Sequence, residues 1–496
     1  MEMRRFWCVG LAAVMACSTP RPATVPGPSR MDPITALRTA IDSMVDAPDF
    51  TNAHWGILIV DPERGDTLYS RNAGKLFMPA SNMKILTSAL VLDLLGPEYR
   101  YRTSIAARGA VQEGTLAGDL VVIGRGDPSV SDHMLKDAMI PLRAIAESLS
   151  VRGIRRIAGH VVAGGNAFPD ASLGFGWSWD DFEDSYSAPT DELLFNEGFS
   201  VLRVRGGERP GDPVHVETRP ARSYPRVRVA AITVAAGTPG DTTRLRTTAL
   251  RTRKDSTTWD VVLEGQIAAR DTSLVEVTHH DPSTAYVAAL REALTERGIA
   301  IDGQATDSLV RVDTLFAIAS PPLRDILPAL MKPSQNQIAE MLFRTAGLEK
   351  VGVGRADSAR AVMERRLAAW GVSPSEAVVR DGSGLARYNY VSPRALVRVL
   401  DAMRRSPHFR VYYDAMPIAG VDGTIRSRMR GTPAEGNVHA KTGTLAMARS
   451  LSGYVTTADQ RLLIFSFLCN NWTVPVRSVE RVQDTISARL AALRLR

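Results

Sequence analysis

Phe77-Met78-Pro79-Ala80-Ser81-Asn82-Met83-Lys84-Ile85-Leu86-Thr87 leads into Ser88 to Leu95, a run almost wholly apolar until Gly96-Pro97 stops it. The run reads as a helix opening at about Ser81, apolar nearly all round and therefore buried. Ser81 and Lys84, three apart, then share one face. A serine hydroxyl is a poor nucleophile unless a base takes its proton, and a lysine is that base only where desolvation or a neighbouring cation holds it neutral. A buried helix start offers both conditions. Taken alone, the pair is better read as a helix cap followed by a first-turn lysine. Chance supplies about one or two SxxK matches in a chain this long, and this is the only one here. What decides the case lies far downstream.

Upstream, Met31 to Asp49 has Ile34, Leu37, Ile41 and Met44 at helical spacing, and two strands follow, His54 to Val60 and Asp66 to Ser70, joined by the turn Asp61-Pro62-Glu63-Arg64-Gly65. This hairpin delivers the chain to the Ser81 helix. Downstream, the helical stretch Pro322 to Met331 runs into Lys332-Pro333-Ser334-Gln335-Asn336, which opens the apolar segment Ile338 to Phe343. Ser334 and Asn336 stand at a helix start, where an N-cap and a first-turn asparagine are the plain alternative. Helices are expected around Ala356 to Ala369 and Ser392 to Met403, with the turn-rich Asp381-Gly382-Ser383-Gly384-Leu385 between them. His439-Ala440-Lys441-Thr442-Gly443-Thr444-Leu445 reads as a strand, followed by strands Arg449 to Val455 and Arg461 to Leu468 and a helix from about Ser478 to Leu493. Two strands near the start and three near the end imply one antiparallel sheet built from both ends of the chain, in an α+β fold.

Between them, from Tyr99 to about Ile299, short β-like runs such as Asp119 to Ile123 and Trp259 to Leu263 alternate with Gly, Pro, Asp and Thr turns. We read a β-rich insertion of one or two domains. Gly124-Arg125-Gly126-Asp127-Pro128 lacks the strand-to-helix glycine pattern of a phosphate loop and reads as a turn. Gly176-Trp177-Ser178-Trp179-Asp180-Asp181 holds two of the seven tryptophans beside two carboxylates. A packed aromatic corner and a rim that grips a cationic, partly apolar ligand fit it about equally. The expected division is 1–16 as an export signal, 17–30 as a tether, 31–98 as the first part of the serine domain, 99–298 as the insertion and 299–496 as the second part.

With 496 residues the chain has room for two to four domains. A net charge of +7 comes from arginines spread along the whole chain, which argues against a nucleic-acid footprint. Only seven of the 60 basic residues are lysines, so Lys84 and Lys441 are conspicuous where a compact ammonium is needed in place of a guanidinium. The start, Met1-Glu2-Met3-Arg4-Arg5, an apolar run from Phe6 to Ala16 and then Cys17-Ser18-Thr19-Pro20, has the form of an export signal followed by a Pro/Ser/Thr-rich tether. If Cys17 is lipidated, Cys469 alone remains in the protein body, so no internal disulfide forms and no cysteine cluster offers a metal site.

Lys-Thr-Gly arises by chance about a tenth of a time in such a chain, and here it occurs once, on an expected strand. SxxK, SxN and KTG in that order, each on the element its chemistry requires, resemble the active-site serine penicillin-binding proteins and serine β-lactamases. Val14-Met15-Ala16-Cys17 resembles a bacterial lipobox; simple cleavage of a secreted protein is the other reading. The long insertion between the first two motifs resembles specifically the class C low-molecular-mass penicillin-binding proteins, the DacB-type D-alanyl-D-alanine carboxypeptidases and endopeptidases. Gly118 to Pro128, Trp177 to Asp181, Asp381 to Leu385 and Ala419-Gly420-Val421-Asp422-Gly423-Thr424 are similar to that family's landmarks.

The resemblance implies a penicillin-binding domain with a five-stranded antiparallel sheet flanked by helices. It implies Ser81 as nucleophile on a D-Ala-D-Ala carbonyl, Lys84 as its base, Ser334 as proton relay, and Asn336 orienting the substrate amide and holding Lys84. Lys441 and Thr442 would bind the terminal carboxylate, Gly443 and Leu445 would border the substrate, and the N–H groups of Ser81 and Thr444 would form the oxyanion hole. Trp177 and one of Asp180 and Asp181, which of the two being open, would meet the stem-peptide side chain before the D-alanines. Peptidoglycan stem peptides and β-lactams are the implied partners, with a membrane reached only through Cys17, no nucleic acid, and neither metal nor organic cofactor. A β-lactamase or esterase of the same fold shares Ser81, Lys84 and Lys441, and a non-catalytic wall-binding lipoprotein is the reading from another class.

Overall fold

The computed structural model describes residues 32–239, 245–251, 259–304 and 311–495, together with Met1, Met3 and Trp7. Cys17 and most of the expected signal and tether lie outside the described residues.

The expected sheet forms. Its order is Asp66–Arg71, His54–Asp61, Leu462–Asn470, Ala448–Thr456, His439–Leu445, with every neighbouring pair antiparallel. The two ends of the chain meet in its middle, where Ile57 lies opposite Phe467. Both faces are covered, so the central strands are apolar nearly throughout instead of alternating. On one face the terminal helices Pro33–Val45 and Val476–Ala492 close a core containing Leu37, Ile41, Ile57, Phe465, Val479 and Ile486. On the other, the serine helix Met83–Leu95 packs with Asn336–Val351, Ala356–Ala369 and Pro393–Arg404 around Leu86, Leu90, Leu342, Met363 and Leu396. Every residue of the serine helix from Met83 to Leu92 is buried, as its lack of a polar face requires.

The inserted region folds around two cores. The first joins the sheet Val312–Ala319, Arg102–Arg108, Asp119–Ile123, Val161–Gly164 to the helices Met139–Val151 and Pro282–Glu296 through Leu120, Leu142, Leu149 and Leu290. The second is all β, with Leu202, Val204, Val261, Leu263 and Val277 at its centre.

Two differences from the sequence reading follow. Met139–Val151 is a helix inside a region read as strands and turns: Leu142, Ile145, Ala146 and Leu149 carry the i, i+3, i+4, i+7 spacing, and all four are buried. The expected return to the serine domain at residue 299 falls inside the insertion, because Ala300–Ile301 pairs with Arg156–Ile157 and Val312–Ala319 pairs with Arg102–Arg108. Gly298, with φ +81, ends a helix there but not a domain. The chain rejoins the helices beside Ser81 at Leu323–Met331.

Candidate active site

Ser81 lies on a 3₁₀ turn, Ala80–Asn82, that feeds directly into the serine helix, so the helix opens one short turn later than its sequence implies. Ala80 is held at φ +48, a left-handed conformation that a side chain disfavours. Two contacts impose it: Ser450 donates its hydroxyl to Pro79 C=O at 2.7 Å, and Asn82 Nδ2 donates to Lys441 C=O at 2.8 Å, tying the turn to the edge of the sheet. Gly443 permits this approach, since a Cβ there would lie 2.5 Å from Pro79 O and 2.2 Å from Ser450 Oγ. The glycine thus permits the docking of strand on helix start, and it also lines the same cavity as Ser81.

Lys84 is wholly buried, and its Nζ lies 2.9 Å from Ser81 Oγ, 2.6 Å from Asn336 Oδ1 and 2.7 Å from Ser383 C=O. Three acceptors suit an ammonium. A neutral amine has two N–H donors and one lone pair, and neither an amide oxygen nor a backbone carbonyl has a proton to give. Loss of the third proton therefore leaves the lone pair facing the one partner that carries an O–H, Ser81. Burial pulls the Lys84 pKa from 10.5 down to about 7, against the opposing pull of the Asp381 and Glu340 carboxylates. Burial is thus the leading cause, and the effect of one lysine on the other is seen at Lys441, whose pKa lies well below 10.5 through burial first and then the charges of Lys84 and Arg449. The shift at Lys84 corresponds to about 5 kcal/mol. Burying Ile85, Leu86, Leu90 and Leu92 on the same helix, each worth roughly 1.5–3 kcal/mol, offsets that cost.

Ser334 precedes the helix Asn336–Val351 and takes φ +70. The N-cap is Gln335, whose side chain accepts from the N–H groups of Gln337 and Ile338. The capping alternative for Ser334 is thereby removed, and its hydroxyl accepts instead from Lys441 Nζ at 2.8 Å. Asn336 spans two regions: its oxygen holds Lys84, and its Nδ2 donates to Tyr186 C=O of the insertion at 2.8 Å.

The loop Asp381 to Leu385, quoted above without a role, supplies Lys84 with its third acceptor. Buried Glu340 accepts from the N–H groups of Gly382 and Ser383, and Asp381 accepts from those of Gly384 and Ala386 and from Asn389 Nδ2. Burial and then the charge of Asp381 push the Glu340 carboxyl up to about 7. Gly384, at φ +87, passes so close to the nucleophile turn that a Cβ would lie 1.9 Å from Ala80 O. The sequence reading missed Glu340; the signal open to it was an acid inside the apolar stretch Ile338 to Phe343, since such groups are buried only with partners.

Ser81, Ser334, Asn336, Thr442, Gly443, Thr444 and Leu445 all line one cavity of about 640 Å³. From the insertion, Asp181 and Tyr186 complete it, and the Tyr186 hydroxyl donates to Asp181 Oδ1 at 2.6 Å. Asp180 is not among the lining residues; it is fully exposed, and hydrogen bonding from Ser178 and from its own backbone N–H, then the charge of Arg387, lowers its pKa. Trp177 is also outside the cavity and donates its indole N–H to Asp381 Oδ2 at 3.0 Å. Trp177 therefore braces the Asp381 loop, and of the two carboxylates Asp181 is the one that faces the cavity. Arg387 and Thr424 line the cavity too and were missed, because neither belongs to a motif with an assigned role. Among the described residues no group of three or more His, Cys, Asp or Glu is arranged to hold a metal, and no helix is long and apolar enough to cross a membrane.

Residues 37–493 match the D-Ala-D-Ala carboxypeptidase 3 (S13) family. A D-alanyl-D-alanine carboxypeptidase of Actinomadura sp. (strain R39) is 32% identical over 475 residues, covering 92% of this chain and 85% of that protein. The D-alanyl-D-alanine carboxypeptidase DacB of Haemophilus influenzae is 24% identical, over 84% of this chain and 85% of the relative. Among solved structures, penicillin binding protein 4 (dacB) from Haemophilus influenzae shares the fold with a TM-score of 0.76 at 22% identity, covering 91% of this chain and 99% of that one. The same protein complexed with a β-lactam gives a TM-score of 0.72.

Proposed function

The chain belongs to the D-Ala-D-Ala carboxypeptidase 3 (S13) family, and from that premise we propose that it is a serine DD-peptidase acting through an acyl-enzyme on Ser81. The observation that carries the proposal is the buried Lys84 amine 2.9 Å from Ser81 Oγ, with its two other acceptors unable to give it a proton.

Neutral Lys84 takes the Ser81 proton as the oxygen attacks the carbonyl of the D-Ala-D-Ala bond. The N–H groups of Ser81 and Thr444 hold the developing oxyanion, each worth about 3–4 kcal/mol in such sites. As the tetrahedral intermediate collapses, the proton passes through Ser334 to the leaving amine, and D-alanine departs. Water then attacks the ester with Lys84 again as base, regenerating Ser81. Lys441 and Thr442 bind the terminal carboxylate, and Asn336 orients the substrate amide. Leu445 and Asp181 face the stem peptide, with the Asp181 carboxylate suited to an ammonium such as that of diaminopimelate and Arg387 to a carboxylate. The same site opens D-Ala-diaminopimelate crosslinks, and β-lactams esterify Ser81. The enzyme works on peptidoglycan outside the cytoplasmic membrane, held there by lipid on Cys17.

Labelled penicillin followed by peptide mapping tests this directly. The adduct is expected on the peptide containing Ser81, and Ser81→Ala should abolish it without unfolding the protein. A label elsewhere, or none, refutes the assignment. Digestion of purified peptidoglycan, with the released products identified, separates carboxypeptidase from endopeptidase action.

A further inference from the structure

The landmark Ala419 to Thr424 has no part in the mechanism above, yet it ends inside the cavity. Thr424 Oγ1 lies 2.7 Å from Thr442 Oγ1, and both residues line the cavity. Among the described residues neither hydroxyl has another hydrogen-bond partner. We propose that Thr424 is a specificity-determining residue of the carboxylate end of the cleft, where its hydroxyl, paired with that of Thr442, presents one O–H to a negatively charged chain terminus. The proposal rests on the D-Ala-D-Ala reading and deepens it.

The number of protons decides what the pair can donate. Two hydroxyls carry two, and only one can lie between two oxygens 2.7 Å apart. If Thr424 donates to Thr442, the Thr442 O–H is left over; in the opposite sense, the Thr424 O–H is. Either way one donor remains at this end of the cavity, strengthened because its own oxygen already accepts a hydrogen bond. A carboxylate takes such a donor in a charge-assisted bond, whereas a carboxamide has one oxygen and an NH₂ that needs an acceptor.

The backbone holds Thr424 in place. It sits on the 3₁₀ turn Gly423–Ile425, and its N–H donates to Lys332 C=O at 3.0 Å. Asp422 accepts from Lys332 Nζ at 2.5 Å and from Ile418 N–H at 2.9 Å. Gly423 takes φ +59, and a Cβ there would lie 2.8 Å from the same Lys332 carbonyl. The turn is therefore pinned to the segment that carries Ser334.

The test uses two peptides identical except that one ends in D-Ala-D-Ala carboxylate and the other in its carboxamide, and reads the ratio of their kcat/KM values. Thr424→Val should lower the acid-to-amide ratio about three- to tenfold, while Thr424→Ser, which keeps the hydroxyl, should keep the ratio. Thr424→Ala serves if the valine variant fails to fold. Equal losses on both peptides mean a structural role, and an unchanged ratio means no role; either overturns the proposal. Failure of the underlying reading looks different, since unsubstituted enzyme would then show no preference for the carboxylate and no acyl-serine.

Discussion

Esterification of Ser81 by labelled penicillin should accelerate about tenfold per pH unit below pH 7 and level off above it. The perturbation is pH alone, and its target is the proton on Lys84. Burial lowers that pKa from 10.5 to about 7, so the neutral fraction is about 1% at pH 5, about half at pH 7 and near complete at pH 9. An ordinary lysine would be neutral only to roughly 0.03% at pH 7. Because the neutral form alone accepts the serine proton, acylation at pH 5 should be about a hundredfold slower than on the plateau. Glu340→Gln should move the midpoint to lower pH, since the Glu340 charge favours the ammonium and its removal leaves burial less opposed. Lys84→Arg should not restore activity at any pH in the range, because a guanidinium stays protonated. The assay is a quenched time course of adduct formation from pH 5 to 9. A flat profile refutes lysine as the base, and a rate still climbing tenfold per unit at pH 9 refutes the depressed pKa.

Gly384→Ala should lower stability by more than about 2 kcal/mol in urea titration and suppress the penicillin adduct, because the new Cβ meets Ala80 O at 1.9 Å in a left-handed backbone. Trp177→Phe should cost about 1–2 kcal/mol of stability by removing the donor to Asp381; a change confined to peptide KM would instead restore the rim role for Trp177. Asp181→Asn should lower turnover of a diaminopimelyl-D-Ala-D-Ala peptide relative to penicillin acylation by roughly 1–3 kcal/mol. Asp180→Asn should have a much smaller effect, and the reverse order of the two variants would sink the assignment of Asp181.

Much of the fold was legible because burial leaves a mark on composition. The serine helix has no polar face, and all of its first ten positions are buried. The two middle strands, His54–Asp61 and Leu462–Asn470, read as nearly continuous apolar runs, and the pairing of the two chain ends followed from the number and placement of the strands. The helix Met139–Val151 carried an equally plain period and was passed over because its neighbours are strands. The boundary near residue 319 was not legible, since pairing of Val312–Ala319 with Arg102–Arg108 joins segments some two hundred residues apart and leaves no local signal.

The sequence by itself determined which groups stand near one another along the chain: a serine and a lysine three apart at a helix start, a second serine and an asparagine at another, and a lysine, threonine and glycine in succession on a strand. Those relations are set by helix and strand geometry over a few residues. Only the tertiary structure decided what state the groups are in. The Lys84 pKa is lowered because its enclosure excludes water, and its other acceptors come from residues 252 and 299 positions away. Asp181 rather than Asp180 faces the cavity, and Trp177 braces a loop 204 residues distant, for the same reason. Desolvation and hydrogen-bond direction belong to the enclosure and not to any one segment, so they exist only once distant parts of the chain have closed around the site.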